Sequence, residues 1–264
     1  MDAHFGDASY HVIKQGPEAI DGDVAEWHTV EDACLAVRNA VLSGASQSQI
    51  DALYSTAESM IDLDNYIDYV ICNSYSGADD WCSNNWRAGK RNGAGYQWRF
   101  FIWDAEWTLR PGEHLEGFGG LFPADPARFL TCGGPTSLHI GLREHASYRA
   151  RFSDRIKKHF FVDPLDPASG ALAMVGGTDR IVQLYQNEMS AFESVLFCES
   201  ARWGGMDAFQ TGRTTPMTKS DPGYLPDKPY GDWDRNCAYT VNVWLPGRRG
   251  YFLNRMQAVG LFQP

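Results

Sequence analysis

The sequence predicts an α+β fold, mainly helical with one short β element, and three observations predict it. Apolar residues recur at helical spacing in several long segments, such as Tyr148, Phe152, Ile156 and Phe160 at every fourth position. Two short runs, Tyr10–Lys14 and Trp98-Arg99-Phe100-Phe101-Ile102-Trp103, have strand composition instead. The remainder is polar or rich in Gly and Pro, and no internal repeat or linker splits the 264 residues, so one domain over 1–264 is expected.

The elements follow in order. Residues 1–28 read as loop and short extended pieces, with Gly16-Pro17 ending the Tyr10–Lys14 run. Thr29 is expected to cap a first helix, with Asp32 three residues on as a weaker capping box. Ala33, Val37, Ala40 and Val41 form its stripe and Gly44 closes it. Ser46 or Ser48 opens a second helix carrying Ile50, Leu53, Tyr54 and Ala57. A third covers 63–75, with Leu63, Tyr66, Ile67, Val70 and Ile71 on its stripe and Asp64, Asn65 and Asp68 off it. Residues 76–86 form a polar loop studded with Trp, followed by basic Arg87, Lys90 and Arg91 and the turn Asn92-Gly93-Ala94-Gly95. The aromatic strand comes next and stops at Asp104.

Residues 105–136 read as a long loop of the kind that often carries function. One helix is expected over 138–161 and another over 178–200, with Ile181, Leu184, Tyr185, Phe192, Val195 and Leu196. Their two stripes are expected to pack as the helical core. Residues 202–238 are loop-rich, and a last helix runs from near Pro246 to about 258, with the proline in its first turn.

Charge excludes some functions. The 23 Lys and Arg against 33 Asp and Glu give −10. Phosphate backbones and anionic lipid both require a positive face. No stretch approaches the ~18 consecutive apolar residues of a transmembrane helix. No nucleic-acid partner and no membrane insertion are therefore expected. The first residues, MDAHFGDASYHVIKQG, have neither the basic start nor the apolar run of a secretory signal. Cys34, Cys72, Cys82, Cys132, Cys198 and Cys237 form no CxxC pair. They read mainly as buried free thiols, with one or two disulfides as the alternative.

Chemistry concentrates in 79–106. Asp80 lies in a loop, Asn84 and Asn85 follow, Asp104 ends a strand, and Glu106 stands two residues further on. Phosphoryl transfer from a nucleotide needs a set of this type. One carboxylate orients the acceptor hydroxyl and takes its proton, while a second carboxylate and a carboxamide hold the ions that neutralise the phosphates. Asp80 precedes Asn85 by five residues, the interval between the catalytic Asp and the metal-binding Asn of protein kinases. Each residue has a plainer reading: Asp80 as a loop cap, the asparagines as loop hydrogen-bonders, Asp104 as a strand-end turn. The Trp residues 81, 86, 98, 103 and 107 read as local core. The seven His have no ligand spacing and read as structural or surface, and Cys82 has no His nearby in sequence to make it a nucleophile.

The segments DDWCSNNW and WRFFIWDAEWTL resemble the CotH kinase family, the spore coat protein H type. Asp64-Asn65-Tyr66-Ile67-Asp68-Tyr69, Tyr10–Lys14 and Leu245-Pro246-Gly247-Arg248-Arg249 add to the resemblance, and residues 61–109 carry most of its specificity. It implies an atypical protein-kinase-like fold, mainly the helical C-terminal lobe, with a short β element carrying the metal-site Asp. It implies ATP and a divalent metal, Mg or Mn, as cofactors, and phosphorylation of Ser or Thr on a partner protein. By matched position Asp80 is the catalytic carboxylate, and Asn85 and Asp104 are the metal ligands. Asp80 rather than Asp79 fits, because Trp81 follows it as in the motif. Family members are often exported or coat-associated, which implies an extracellular or cell-surface location.

The chain also departs from the family pattern. No Gly-rich phosphate loop is visible, and Lys14, the only early Lys, matches a segment beyond the nucleotide-covering half. The chain is therefore expected to be truncated at its N-terminus, to continue past 264, and to bind ATP weakly by itself. Two other readings compete. One is a catalytically inactive kinase-fold module of a coat or surface protein. The other is a carboxylate-pair hydrolase using Asp80 and Asp104 on a sugar polymer, which would not need Asn85.

Overall fold

A computed structural model of the chain describes residues 9–78, 81–82, 84–105, 108–109, 134–175, 178–193, 237–238 and 240–264. The fold is α+β, with the chain in two compact units. One comprises Met1–Thr108, Glu116–Lys157 and Tyr251–Pro264; the other comprises Leu109–Leu115 and Lys158–Gly250.

The first unit is built on an antiparallel sheet of β1 (Tyr10–Lys14), β2 (Glu18–Asp21), β3 (Trp86–Arg91) and β4 (Arg99–Ile102), in the order β2-β1-β3-β4. β3 is a strand where its basic, Gly-containing sequence reads as loop. It forms because β1 and β4 flank it on both edges, pairing Ile13 with Ala88 and Trp86 with Ile102. Three helices cover the sheet's sequence neighbourhood: α1 (Ala25–Leu42), α2 (Gln47–Met60) and α3 (Leu63–Ser76). α1 starts four residues before Thr29. That hydroxyl donates to the Ala25 carbonyl inside the helix, so Thr29 is not the cap. Ser46 caps α2 with a full capping box completed by Gln49, and Asp62 caps α3 by accepting from the Asn65 amide.

The single helix expected over 138–161 is two helices, α4 (Pro135–Leu142) and α5 (Ala146–Phe160). The break at 143–145 is held by Arg149, whose guanidinium donates to the carbonyls of Arg143 (2.7 Å) and Glu144 (2.8 Å). α4 packs on α1. α5 buries Tyr148, Phe152, Ile156 and Phe160 completely. Arg151 ties α5 to Glu58 of α2 and Asp64 of α3, and Arg155 ties it to Asp64 and Asp68 of α3. Asp64 and Asp68, off the α3 stripe, are thus the partners of α5.

In the second unit β5 (Met174–Val175) and β6 (Thr178–Asp179) form a hairpin that leads into α6 (Arg180–Glu193). Leu184 and Phe192 of α6 are exposed, at 55% and 40%. The expected core role of the 181–196 stripe therefore fails at these positions: periodicity marks an apolar face but does not supply a partner for it. Val195 and Leu196 lie outside the described residues. A π-helical turn (Thr240–Trp244) runs into α7 (Leu245–Ala258), with Pro246 in its first turn. Among the described residues no helix is long and apolar enough to cross a membrane.

Candidate functional site

An aromatic cluster fixes the β3–β4 hairpin. Trp27 of α1 lies 5.0 Å from Trp86, 5.5 Å from Trp98 and 6.0 Å from Phe100, centroid to centroid. Tyr66 and Tyr69 of α3 reach Phe100 from the other side, at 4.7 and 5.5 Å. Asn65 acts as a surrogate strand: its Oδ1 accepts from the Phe100 amide (2.6 Å) and its Nδ2 donates to the Phe100 carbonyl (3.3 Å). Sequence reading missed this role; the signal was a carboxamide on the helix face turned away from the apolar stripe. The α2–α3 connection adds a backbone bond at each side of Trp98, through Met60 and Asp62.

The hairpin register then brings two of the sequence-selected residues together. Because Trp86 pairs with Ile102, Asn85 precedes β3 and Asp104 follows β4 at the same open end. The Asn85 Nδ2 donates to the Asp104 backbone carbonyl at 3.3 Å. Asp104 is exposed and Asn85 half-buried. Asp80, Glu106 and Trp107 lie outside the described residues. Asn84 is exposed and forms a bridge with Trp81.

The backbone here is unusual. Among the described residues the non-glycine positions with positive φ are Cys82 (80°), Asn85 (52°), Asp104 (53°) and Leu109 (55°). All fall within one segment of 28 residues, counted from 82 through 109. Asn and Asp tolerate this region better than Cys and Leu do. Each such residue costs on the order of 1–3 kcal/mol and persists where its surroundings over-determine it, which is typical of functional sites.

Other features near the site differ from their sequence readings. Cys82 is disulfide-bonded rather than a free thiol, which also removes it as a nucleophile; no sequence spacing marked it. Cys34 and Cys72 are free. Trp81, Trp86 and Trp98 are core, each at most 2% exposed, but Trp103 is 53% exposed and lies beneath the Arg87 guanidinium at 4.7 Å. Arg87 also donates to Gln15 (2.5 Å) and to the Trp86 carbonyl (2.9 Å). Lys90, on the opposite face of β3, pairs with Glu26 at 2.6 Å, and this hydrogen bond holds the Glu26 carboxyl below its usual range. His139 and His145 are structural. His139 bonds Tyr148, and His145 bonds Asp51 and stacks on Tyr54 at 4.0 Å.

The donor set at the hairpin end consists of oxygens: the Asp104 carboxylate and the Asn85 side-chain carbonyl. Such a pair fits a hard cation that takes one or two protein oxygens and completes its shell with phosphate and water, as Mg²⁺ does. It does not form an all-protein cage, and among the described residues no cluster of three or more His, Cys, Asp or Glu could hold a metal. The family model described as CotH kinase protein matches residues 1–162, more than half of the chain. No curated protein and no solved structure matches it.

Proposed function

The chain belongs to the CotH kinase family, and on that premise we propose that it is a protein kinase domain that transfers the γ-phosphoryl group of ATP to Ser or Thr of a coat, matrix or surface protein, with Mg²⁺ or Mn²⁺. The observation that carries this reading is the meeting of Asn85 and Asp104 at the open end of one hairpin, both in the left-handed backbone region. Phosphoryl transfer depends on positioning and on neutralising phosphate charge, and a divalent ion supplies the neutralisation when bound. Asp104 and Asn85 are the residues that would hold it. Asp80, five residues before Asn85, is the carboxylate assigned to orient the acceptor hydroxyl and accept its proton.

The disulfide at Cys82 supports placing the domain in an oxidising compartment, outside the cytosol, where a coat or surface substrate would be found. The test is transfer of radiolabelled phosphate from ATP to a Ser-rich acceptor in the presence of Mg²⁺ or Mn²⁺, with Asp80→Ala and Asp104→Ala alongside. Little transfer is expected from these 264 residues alone, and strong transfer, abolished by both substitutions, once a nucleotide-covering half is joined to them. A joined form that neither binds ATP nor transfers phosphate would leave a kinase-fold interaction module instead.

A further inference from the structure

We propose that Arg87, stacked on Trp103, is the residue of this site that takes a phosphate group of the nucleotide. The inference deepens the kinase reading and rests on it for the identity of the ligand. That the guanidinium is an oriented anion site stands on geometry alone.

Sheet register sets the pair beside the candidate metal ligands. Arg87 pairs with Phe101 in the β3–β4 ladder, so Trp103, two residues beyond Phe101, is its diagonal neighbour. Trp103 immediately precedes Asp104, and Arg87 follows Asn85 by two residues, which keeps their Cα atoms within about 7 Å. The guanidinium carbon lies 4.7 Å from the centroid of the Trp103 ring. Two hydrogen bonds then fix its orientation, because Nη1 donates to the Gln15 Oε1 at 2.5 Å and to the Trp86 carbonyl at 2.9 Å. A long side chain on a strand ordinarily loses rotamer freedom when it binds. Here the stack and the two bonds have removed that freedom beforehand, which lowers the cost of taking a ligand.

Both N–H groups of Nη1 are engaged in these bonds. The donors on Nε and Nη2 have no partner among the described residues. Those two nitrogens form the edge that matches a pair of phosphate oxygens. The charge is not neutralised either. Neighbouring cations of the sheet have acids: Lys14 pairs with Glu18 at 2.9 Å, Lys90 with Glu26 at 2.6 Å and Arg99 with Asp62 at 3.1 Å. The partners of Arg87 are a neutral amide, a carbonyl and an indole. In a chain of net charge −10 the overall field repels anions, so this half-buried guanidinium is a local exception to it. Position decides the occupant. An ion held by Asn85 and Asp104 would bridge nucleotide phosphates, and Arg87 stands at the same end of the hairpin to take oxygens of that polyphosphate.

The test uses the full chain, labelled with ¹⁵N, as wild type, Arg87→Ala, Arg87→Lys, Trp103→Leu and Arg91→Ala. Arg91 is the control: it also lies over an exposed aromatic ring, Tyr96 at 4.9 Å, but at the far end of β3 from Asn85. Tripolyphosphate, ATP and a phosphoserine peptide are titrated separately, without metal. The Arg87 Nε–H and Trp103 Nε1–H resonances, identified by their loss in the variants, report binding. In the wild type both are expected to shift with tripolyphosphate and with ATP. Arg87→Ala should lower both affinities about tenfold, as loss of hydrogen bonds between charged groups does. Arg87→Lys keeps the charge without the fork and should recover only part of that loss. Trp103→Leu, which removes the stack, should fall between wild type and Arg87→Ala, and Arg91→Ala should match wild type.

Equal affinity in wild type and Arg87→Ala overturns the proposal, as does a wild type in which neither polyphosphate shifts either resonance. An equal loss in Arg91→Ala also overturns it, because general positive charge then accounts for the binding. Where Arg87→Ala fails to fold, Arg87→Lys decides, and wild-type affinity in that variant counts against the fork. Tighter binding of the phosphoserine peptide than of ATP overturns the nucleotide assignment and moves the anion site to the acceptor. Arg87-dependent binding of both polyphosphates, in a domain that transfers no phosphate once a nucleotide-covering half is joined to it, keeps the site and fails the kinase reading.

Discussion

The side-chain amide of Asn85 donates to the backbone carbonyl of Asp104 at 3.3 Å, across the open end of a hairpin whose strands are 19 residues apart at these two positions. In this bond the Asn85 nitrogen donates; of the side-chain atoms, Oδ1 is the one whose lone pairs suit a cation. It also links the residue before β3 to the turn after β4.

Substitution separates the two contributions. Asp104→Ala removes the carboxylate and should lower Mn²⁺ affinity by more than about tenfold; Asn85→Ala removes one neutral oxygen and the inter-loop bond and should cost about tenfold. Calorimetric titration of each variant against wild type checks this. Wild-type affinity in both would place the metal elsewhere. A sugar hydrolase built on the carboxylates would be indifferent to Asn85→Ala in activity, whereas a kinase would not.

Burial decides the second pair of substitutions. Phe152 is fully buried in α5 and contacts the His139 ring at 5.8 Å and Tyr148 at 6.0 Å. Phe152→Ala should cost about 3–5 kcal/mol. Leu184, on the exposed face of α6, is 55% exposed, and Leu184→Ala should cost less than about 1 kcal/mol. Urea unfolding of both variants measures the difference. Equal costs would mean that α6 is covered in solution.

These two helices also show what the sequence could and could not convey. The apolar spacing in α5 and the cap at Ser46 are local properties, and local physics places those elements. β3 was not legible, because Trp-Arg-Ala-Gly-Lys-Arg becomes a strand only through pairing on both edges. The break between α4 and α5 was hidden because the Leu138–Leu142 and Tyr148–Phe160 stripes read as one continuous pattern. At the site, residue types and spacing selected Asn85 and Asp104, while the hairpin register that joins them is a property of the sheet. Asn65 escaped notice because it acts through a partner distant in sequence, Phe100, and the spacing of the six cysteines marks no pair.

Gly141 marks the closest approach of two helices. A Cβ added there would lie 2.1 Å from the carbonyl oxygen of Cys34 and 2.4 Å from its carbonyl carbon, and backbone cannot swing aside. Gly141→Ala should therefore push α4 off α1 and cost at least about 2 kcal/mol, although alanine is the better helix former. Thermal unfolding monitored by circular dichroism gives the answer. A neutral or stabilising effect would show that the α1–α4 contact is looser than described.

The buried His139 makes stability pH-dependent. Its ring is 0% exposed and bonded to Tyr148 through Nδ1 at 2.9 Å; burial, aided by the nearby Arg143 charge, pushes its pKa from 6.5 down to about 3. The unfolded chain therefore binds a proton near pH 6.5 that the folded chain refuses until about pH 3. In that window the unfolded state holds more protons, so stability rises with pH. The contribution is complete above about pH 6.5, declines below it, and is gone as pH falls through the folded value. At pH 5 the loss is about 2 kcal/mol relative to pH 7.5. His139→Met removes the titrating ring and should flatten this part of the profile while lowering or raising the whole curve by a constant. Denaturant unfolding of both proteins at pH 7.5, 6 and 5 measures the slopes. Identical slopes would mean that His139 takes up its proton in the folded state, with solvent or a carboxylate within reach of the ring.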